Sequence, residues 1–408
     1  MLRWPPGQRR TVLLVAGFAC GLAVRLVLLP APDISGDIDD FVGWIHHISL
    51  SGLPNAYDER LPFPPVIAYI WGLLAAVEPG FRTATDSTDL TIRVLIKLPP
   101  TLADFALALL VGYALRDRGR WAAIGAVAFI LHPAVFDVSA WWGQYESIYL
   151  LFALAATVLA INGRNGWAAA LIALSVMTKP QALPMLAPFA AWFWTTGGWR
   201  GLVRSGLIGA AVIVILWLPF IGAGGPANYL GNVAGYQEGR FAVLSISGWN
   251  SWWLVQQTAA GGNFVPDEIP VVGPVTFRHL GLMITGLLES LVALAVIRDP
   301  RPRTLILALA AAVLVAFSFL TLMHERYNYG AVVFLLLLLS APRMRWLNLS
   351  FGIVITLNVL AAVPPTAEIH SALRLSGLLG VLGSIATLSI TGIVCTLLTR
   401  RQGQVMAS

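Results

Sequence analysis

Charged side chains are scarce in this chain: Asp, Glu, Lys and Arg make up 11% of its 408 residues, whereas soluble domains carry about 25%. Hydrophobic residues account for 57% of the sequence, and the mean hydropathy is +0.76. A surface of this composition cannot face water on all sides. The composition therefore excludes a water-soluble enzyme and a disordered chain, and it predicts a polytopic membrane protein.

Cysteine is nearly absent, and the motifs of several soluble enzyme classes are missing. Cys20 and Cys395, the two cysteines of the chain, both lie in apolar segments, which argues against a disulfide scaffold and a zinc site. The sequence contains no Gly-rich phosphate loop and no dinucleotide-binding fingerprint. It also lacks an internal repeat and the paired broken helices that mark many transporters.

Long apolar runs without alternation predict membrane-spanning helices, because a backbone in lipid must satisfy its own hydrogen bonds. We predict an all-α polytopic fold with about twelve transmembrane helices. Their ranges are 11–30, 91–115, 121–136, 145–161, 166–178, 180–196, 201–220, 281–297, 303–322, 327–341, 346–363 and 374–398. The segment 65–78 is also apolar, but it is short for about 30 Å of hydrocarbon.

Basic residues predict the orientation of these helices, because loops rich in Lys and Arg face the cytoplasm. Such loops occur at 3–10, 116–120, 162–166, 197–204, 298–303, 342–345 and 400–401. The first two both face the cytoplasm only if segment 65–78 lies at the outer surface instead of crossing. A cleaved signal peptide at the first span is an alternative that we disfavour, because the first outer loop needs a tether.

Two long stretches that do not span the membrane, 31–90 and 221–280, then lie on the outer face. Loops of this length in a compact protein are usually functional. We therefore predict three parts: a module over residues 1–220, the long outer loop 221–280, and C-terminal transmembrane helices over 281–408. The first outer loop is expected to carry interfacial helices.

Three carboxylates, those of Asp37, Asp39 and Asp40, follow the first span within a few residues. An acidic cluster at the membrane surface suits a general base or a metal site that acts on a membrane-bound substrate. A structural alternative is a solvated helix start, in which Asp37 caps the helix and the other two favour its N-terminal dipole. The spacing of the residues leaves both interpretations open.

A run of aromatic and polar residues at 141–147 follows the third span and contains Gln144, Tyr145 and Glu146. Such residues suit a sugar, because aromatic rings stack on it and polar groups bind its hydroxyls. An aromatic belt at the membrane interface is the alternative. Lys179 lies at a break between two apolar helices, where it either extends to water or contacts an anionic head group.

His324, Glu325 and Arg326 form a group of adjacent charged residues at the outer end of a span. His and Arg can donate charge-assisted hydrogen bonds to a phosphate, and a polar turn with an internal Glu–Arg pair is the alternative. Asp104 lies inside a predicted span, where a charge is costly. We expect it to pair with a charge on a neighbouring helix, such as Arg25.

Together these motifs resemble those of the GT-C superfamily of membrane glycosyltransferases. The nearest branch is the polyprenyl- or dolichyl-phosphate-glucose-dependent glucosyltransferases of N-glycan assembly, with their bacterial relatives. The matching motifs, in chain order, are Gly36-Asp37, Trp44, Phe63-Pro64-Pro65, Gln144-Tyr145-Glu146, Lys179-Pro180-Gln181, Ser247-Gly248-Trp249-Asn250 and His324-Glu325-Arg326. Phe63 stands where that branch has a tyrosine.

The resemblance implies a GT-C fold and an inverting transfer of a hexose, glucose or mannose, from a polyprenyl-phosphate donor to a lipid-linked or other extracytoplasmic acceptor. It implies that Asp37 is the catalytic base and that His324 and Arg326, with Lys179 as a weaker candidate, bind the donor phosphate. Further substrate contacts are expected from Asp39, Asp40, Gln144, Tyr145, Glu146 and Trp249. No cofactor is expected, and a divalent metal held by Asp37 and Asp39 is the alternative.

The expected location is a bacterial inner membrane, with a cytoplasmic N-terminus and the active site on the outer (periplasmic, extracellular or luminal) face. The expected partners are the lipid-linked donor, the acceptor and membrane lipid. Nucleic acid is not expected, because the basic residues are confined to short loops. A lipid-linked sugar flippase or transporter is the main alternative, but it does not explain an acidic motif in a long outer loop. An accessory membrane subunit without chemistry is a third interpretation.

Overall fold

The computed structural model describes residues 6–32, 34–237 and 241–399. Of the basic residues that predict the orientation, Arg3 and the pair at 400–401 lie outside these ranges. Within them the regular secondary structure is helical apart from one short two-stranded hairpin, which confirms the predicted all-α fold class.

Seventeen α-helices are present in the described part of the chain. They are α1 (Pro6–Leu28), α2 (Asp37–Ser51), α3 (Pro65–Val77), α4 (Leu90–Ala114), α5 (Trp121–Ile130), α6 (Pro133–Phe136), α7 (Glu146–Ile161), α8 (Asn165–Val176), α9 (Leu186–Ile221), α10 (Gly225–Gln237), α11 (Ser251–Ala259), α12 (Phe277–Arg298), α13 (Pro302–Phe319), α14 (Gly330–Leu336), α15 (Pro342–Ala362), α16 (Ala367–Ala372) and α17 (Leu378–Thr399). Two short antiparallel strands, β1 (Pro270–Val272) and β2 (Val275–Thr276), form a hairpin.

Seven helical segments are long and apolar enough to cross a membrane, which makes the chain a multi-pass membrane protein. They are Gly7–Leu28, Leu90–Ala114, Pro180–Ile221, Phe277–Arg298, Pro302–Phe319, Pro342–Ala362 and Leu378–Thr399. An eighth arises if α5 and the segment Pro133–Trp141, which meet at a 46° bend, count as one broken span.

The number of full-length spans in the described residues is thus lower than the predicted twelve. Helices α7 and α8 are apolar but too short for a full crossing, and the predicted span 327–341 contains only the seven-residue helix α14. The predicted spans 180–196 and 201–220 share the candidate segment Pro180–Ile221. Helix α9 nevertheless consists of two helices that meet at Gly198, which is not helical (φ 61°, ψ −161°), so each of the two predicted spans contains its own helix. Helix α3, with 13 residues, is about 20 Å long, as expected of a helix that does not cross.

The chain divides into two compact units. The first unit comprises Met1–Val158, Trp167–Pro180 and Leu207–Tyr236, and the second comprises Leu159–Gly166, Gln181–Gly206 and Gln237–Ser408. The core of the first unit lies between helices α2, α3 and α4, where Ile45, Trp71 and Ile96 are fully buried. In the second unit the buried helix α13 packs against α12, α14 and α17. The division predicted at residues 220 and 280 stays a prediction.

A buried ion pair joins the spanning helices of the first unit. Arg25 donates two hydrogen bonds to Oδ2 of Asp104, from Nε at 3.0 Å and from Nη2 at 2.7 Å. Its Nη1 also donates to the carbonyl of Ile130 at 2.8 Å, at the end of α5 where the broken span bends. The ion pair compensates the charge of Asp104 within a candidate span. It confirms the predicted pairing of Asp104 with Arg25.

Candidate active site

The turn before α2 places Asp37 at the first helical position. Gly36 is the N-cap of the helix, with a φ of 78°, a left-handed conformation that glycine adopts without a steric penalty. The expectation that Asp37 caps the helix is therefore wrong. Asp37 therefore lies within the helix, and its carboxylate contacts a residue of another segment instead of the start of its own helix.

That carboxylate contacts the motif at residues 141–147. Gln144 donates a hydrogen bond from Nε2 to Oδ2 of Asp37 at 2.6 Å. A second connection runs through Ser35, whose hydroxyl oxygen accepts from the backbone N–H of Asp37 at 3.1 Å and from Nε1 of Trp142 at 2.8 Å. The structure thus brings two predicted site residues, Asp37 and Gln144, into direct contact.

The three clustered carboxylates have different surroundings. At 100° per residue, Asp40 lies about 60° from Asp37 around the axis of α2, whereas Asp39 lies about 160° away. Asp39 accepts a hydrogen bond from the backbone N–H of Ser87 at 2.8 Å, which ties α2 to the loop before α4. Partial burial, together with the charges of Asp37 and Asp39, raises the pKa of Asp40.

This geometry bears on the metal alternative. Asp37 and Asp39 point to nearly opposite sides of α2, so their carboxylates are poorly placed to share one ion. Among the described residues, no group of three or more His, Cys, Asp or Glu side chains is arranged to hold a metal. A metal held by Asp37 and Asp39 stays the alternative to a site without a cofactor.

Tyr145 is fully buried between the helices of the first unit. Its hydroxyl accepts a hydrogen bond from Nε1 of Trp71 at 2.9 Å and donates one to the carbonyl of Ile96 at 3.0 Å. These two bonds connect α3, α4 and the start of α7. A substrate contact by Tyr145 stays a prediction, but the contacts in the structure are those of a residue that holds helices together.

Glu146 and Lys179 form a buried ion pair, with 2.7 Å between Nζ and Oε1. The side-chain exposed fractions are 0% for Glu146 and 3% for Lys179, so the pair is shielded from water. The ammonium group also lies 5.7 Å from the ring centroid of Phe63, a distance typical of a cation–π contact. This pairing was not predicted from the sequence, and phosphate binding by Lys179 stays a prediction.

The last residue of the motif, Ser147, contacts the buried ion pair of Arg25 and Asp104. The hydroxyls of Ser147 and Ser139 both donate hydrogen bonds to the carboxylate of Asp104, the partner of Arg25. Residues 144, 146 and 147 therefore each contact a charged residue: Asp37, Lys179 and Asp104, respectively. We conclude that this motif holds three charged groups of the first unit in fixed positions.

The late charged cluster lies in the second unit, between α13 and α14. Arg326 donates from Nη1 to Oε1 of Glu325 at 2.7 Å, and the hydroxyl of Ser247 donates to Oε2. Burial raises the pKa of Glu325, but His324, Arg326 and Ser247 outweigh this effect and hold the pKa below its usual range. The internal Glu–Arg pair that was the structural alternative is thus present.

His324 is the most exposed member of this cluster. Its side chain is 16% exposed, compared with 10% for Arg326 and 2% for Glu325. The imidazole lies between the rings of Phe241 and Tyr327, with centroid distances of 5.9 and 5.1 Å. Because Glu325 is ionised and balances the charge of Arg326, phosphate binding here would depend on donor geometry more than on excess positive charge.

Trp249 and Asn358 hold the loop that supplies Ser247. Asn358, on α15, donates from Nδ2 to the carbonyl of Ser247 at 2.8 Å and accepts at Oδ1 from the backbone N–H of Trp249 at 2.9 Å. The Trp249 side chain is 1% exposed and donates from Nε1 to the carbonyl of Leu375. A substrate contact by Trp249 stays a prediction. Asn358 was not among the residues predicted from the sequence, although an amide inside an apolar span is a usable signal.

The comparison with protein families gave one match. The model of glycosyltransferase family 87 matches residues 100–323, just over half of the chain. The matched region includes the motif at 141–147, Lys179 and the loop that contains Ser247, whereas Asp37 and His324 lie outside it. A search among curated proteins found no match.

Proposed function

The chain belongs to glycosyltransferase family 87, and on this premise we propose that it transfers a hexose, glucose or mannose, from a polyprenyl-phosphate donor to a lipid-linked or other extracytoplasmic acceptor. The observation that carries the proposal is the hydrogen bond from Gln144 to Asp37. This contact supports the proposal because it orients a carboxylate nine residues beyond the first span, where the resemblance to GT-C enzymes expects the catalytic base. The family match argues against the transporter and accessory-subunit alternatives.

A lipid-linked donor agrees with both the composition and the position of Asp37. The sequence has no Gly-rich phosphate loop for a nucleotide sugar. Helix α2 begins nine residues after the last residue of α1, a candidate span, so Asp37 lies close to the membrane surface. A polyprenyl chain keeps its sugar at that surface. The proposed site therefore suits a donor that diffuses in the membrane.

In the proposed reaction Asp37 is the general base. Its carboxylate takes the proton from an acceptor hydroxyl, whose oxygen forms a bond to the anomeric carbon of the donor. The bond between that carbon and the phosphate oxygen breaks, and the polyprenyl phosphate leaves with the electron pair. The anomeric configuration inverts, and the proton on Asp37 is later released to water. Hydrogen bonds to the departing phosphate stabilise its developing charge, a role that the resemblance assigns to His324 and Arg326.

The proposed orientation places this site on the outer face. The basic loops would face the cytoplasm, as in a bacterial inner membrane, while Asp37 and His324 would lie on the opposite side. An enzyme with this orientation uses a donor whose sugar is displayed outside. The N-terminus would then be cytoplasmic.

The test is a donor-consumption assay on the purified protein in lipid nanodiscs. Polyprenyl-phosphate glucose and polyprenyl-phosphate mannose are supplied with an extract of membrane glycolipids, and release of polyprenyl phosphate is measured. We expect one donor to be consumed. Asp37→Asn should lower turnover by about 10²- to 10⁴-fold, the usual contribution of a general base, and the matched control Asp39→Asn should stay close to the unmodified protein.

Two results would contradict the proposal. Near-normal turnover in Asp37→Asn would remove this residue as the base. An equal loss in Asp39→Asn, with activity abolished by a chelator, would indicate a metal held by Asp37 and Asp39. Failure of both donors to react would contradict the proposed donor class while leaving membership of the family intact.

A further inference from the structure

Trp44 lies on the same face of α2 as the proposed base. Seven residues after Asp37, it is about 20° from that residue around the helix axis, and Asp40 is about 60° away. One helix face thus presents Asp37, Asp40 and Trp44 in succession over two turns. Asp39, on the opposite side, contacts Ser87 and does not belong to this face.

The indole of Trp44 is held firmly by other aromatic rings. It stacks on Trp71, with a centroid distance of 5.6 Å and an interplanar angle of 17°, and it meets Phe63 edge to face at 5.8 Å. Trp71 is fully buried and donates its N–H to Tyr145. Because these neighbours fix its orientation, the Trp44 ring would lose little conformational entropy when a ligand binds.

Two polar groups on this helix face are available to a ligand: the indole N–H of Trp44 and the carboxylate of Asp40. Trp44 is partly exposed, and its indole N–H forms no hydrogen bond with a described residue. The carboxylate of Asp40 is exposed and likewise has no hydrogen-bond or ion-pair partner among the described side chains and backbone groups. An aromatic surface next to one donor and one acceptor matches the chemistry of a pyranose, which has an apolar face and a rim of hydroxyls.

We propose that Trp44 and Asp40 form the binding platform for the acceptor sugar. The ring of Trp44 packs against the apolar face of a hexose, and Asp40 accepts a hydrogen bond from one of its hydroxyls. The inference rests on the proposed function, because the hydroxyl that reacts must lie at the base. Groups next to Asp37 on one helix face are therefore the first protein groups that the acceptor contacts.

An interfacial tryptophan that anchors the helix in the lipid head groups is the competing explanation for Trp44. Two observations favour the sugar. Asp37 and Asp40 lie on the same face as Trp44, and burying these carboxylates among acyl chains would be costly. The indole is also stacked within the aromatic core of the unit, whereas a belt residue needs only its own contact with lipid.

The test measures sugar binding without requiring the natural acceptor. Saturation-transfer NMR is recorded with methyl α-mannoside and methyl α-glucoside on the protein in nanodiscs, which avoids glycoside detergents. The variants are Trp44→Ala, Trp44→Phe and Asp40→Asn. Trp167→Ala is the matched control, because Trp167 is 71% exposed and lies at the start of α8, away from this face. Thermal unfolding of each variant monitors folding.

We expect transfer to one glycoside in the unmodified protein and a loss of about 2- to 10-fold in Trp44→Ala, the range that an aromatic contact contributes. Trp44→Phe should lose less, Asp40→Asn should lose transfer as well, and Trp167→Ala should be unchanged. If Trp44→Ala does not fold, Trp44→Phe and Asp40→Asn decide the question.

Undiminished transfer in folded Trp44→Ala, or no transfer to either glycoside in the unmodified protein, would overturn the platform. The donor-consumption assay on the same samples keeps this result separate from the fate of the proposed function. Donor use without glycoside binding contradicts the platform alone. Glycoside binding without donor use contradicts the proposed donor.

Discussion

Gln144 donates a hydrogen bond to Asp37 across 107 residues of sequence, with 2.6 Å between Nε2 and Oδ2. The amide of Gln144 is 1% exposed, so it is held by the surrounding protein. A neutral amide orients a carboxylate without placing a full positive charge beside it. This contact predicts that residue 144 positions the proposed base, in addition to the substrate contact expected from the sequence.

Replacement of Gln144 by methionine tests this positioning role. Gln144→Met should lower turnover by roughly 10-fold or more, because a hydrogen bond to a charged group contributes about 1.5–3 kcal/mol. The measurement is single-turnover donor consumption. In the Asp37→Asn background the same replacement should cost little further turnover, because the two residues act as one unit. Independent, additive losses would show that Gln144 acts elsewhere.

Arg326 and Glu325 allow a test of the proposed phosphate binding by the late charged cluster. Arg326→Ala should weaken the equilibrium binding of polyprenyl phosphate at least 10-fold, and Arg326→Lys should restore only part of it, because an ammonium group cannot reproduce the planar fork. The double variant Glu325→Gln with Arg326→Ala should recover stability but not affinity, because it removes the buried charge that Arg326 balances. Unchanged affinity in all three variants would leave the cluster as a polar turn.

The sequence predicted much of the fold because composition and hydropathy report directly on the lipid environment. Helices α1, α4 and α12 begin and end within a few residues of the predicted spans. The prediction was wrong for residues 327–341, where a seven-residue helix is followed by turns. This segment is apolar because it is buried in the protein, and hydropathy does not distinguish such burial from exposure to lipid.

The candidate site was less accessible to prediction, because its contacts join distant parts of the chain. The pairing of Asp104 with Arg25 could be predicted, since a charge inside a membrane requires a partner. The contacts of Gln144 and Lys179 could not, because their partners are fixed by helix packing that no local pattern encodes. The different surroundings of Asp39 and Asp40 likewise depend on where the loop that contains Ser87 lies.

The buried pair of Glu146 and Lys179 should matter for stability. Lys179→Met removes the cation beside a fully buried carboxylate, a change that typically costs about 3–5 kcal/mol. Combining it with Glu146→Gln should recover much of the loss in thermal unfolding. Arg116→Met, which breaks an exposed pair with Asp117, is the control and should have little effect. A stable Lys179→Met variant with weakened donor binding would instead support the phosphate role.

Cysteine labelling tests the predicted orientation. In a background with Cys20 and Cys395 replaced by alanine, Glu59→Cys and Arg118→Cys place single thiols at exposed positions on either side of α4. A membrane-impermeant maleimide should modify position 59 in intact cells and position 118 only after permeabilisation. Reaction of both thiols from one side would contradict the orientation and the placing of Asp37 on the outer face.

The last spans lie beyond the family match. Replacing Asn358, on α15, tests whether they help to position the late charged cluster. Its amide forms two hydrogen bonds with the loop that contains Ser247, and the hydroxyl of Ser247 donates to Glu325. Asn348, on the same helix, provides a matched control, because its amide donates to the carbonyls of Leu335 and Met344 and not to this loop.

We expect Asn358→Leu to lower thermal stability by about 1–3 kcal/mol, because the carbonyl of Ser247 and the N–H of Trp249 lose their hydrogen bonds. Asn348→Leu should cost less, since the carbonyl of Leu335 still accepts from the backbone N–H of Leu338. Only Asn358→Leu should also weaken polyprenyl-phosphate binding. Without the amide of Asn358, the loop that contains Ser247 should move, which takes Ser247 away from Glu325 and disturbs the geometry around His324. Loss of stability in Asn358→Leu with unchanged affinity would mean that Asn358 acts only in packing. Weaker binding in both variants would indicate general loosening of the second unit, and only a selective effect at position 358 supports a positioning role.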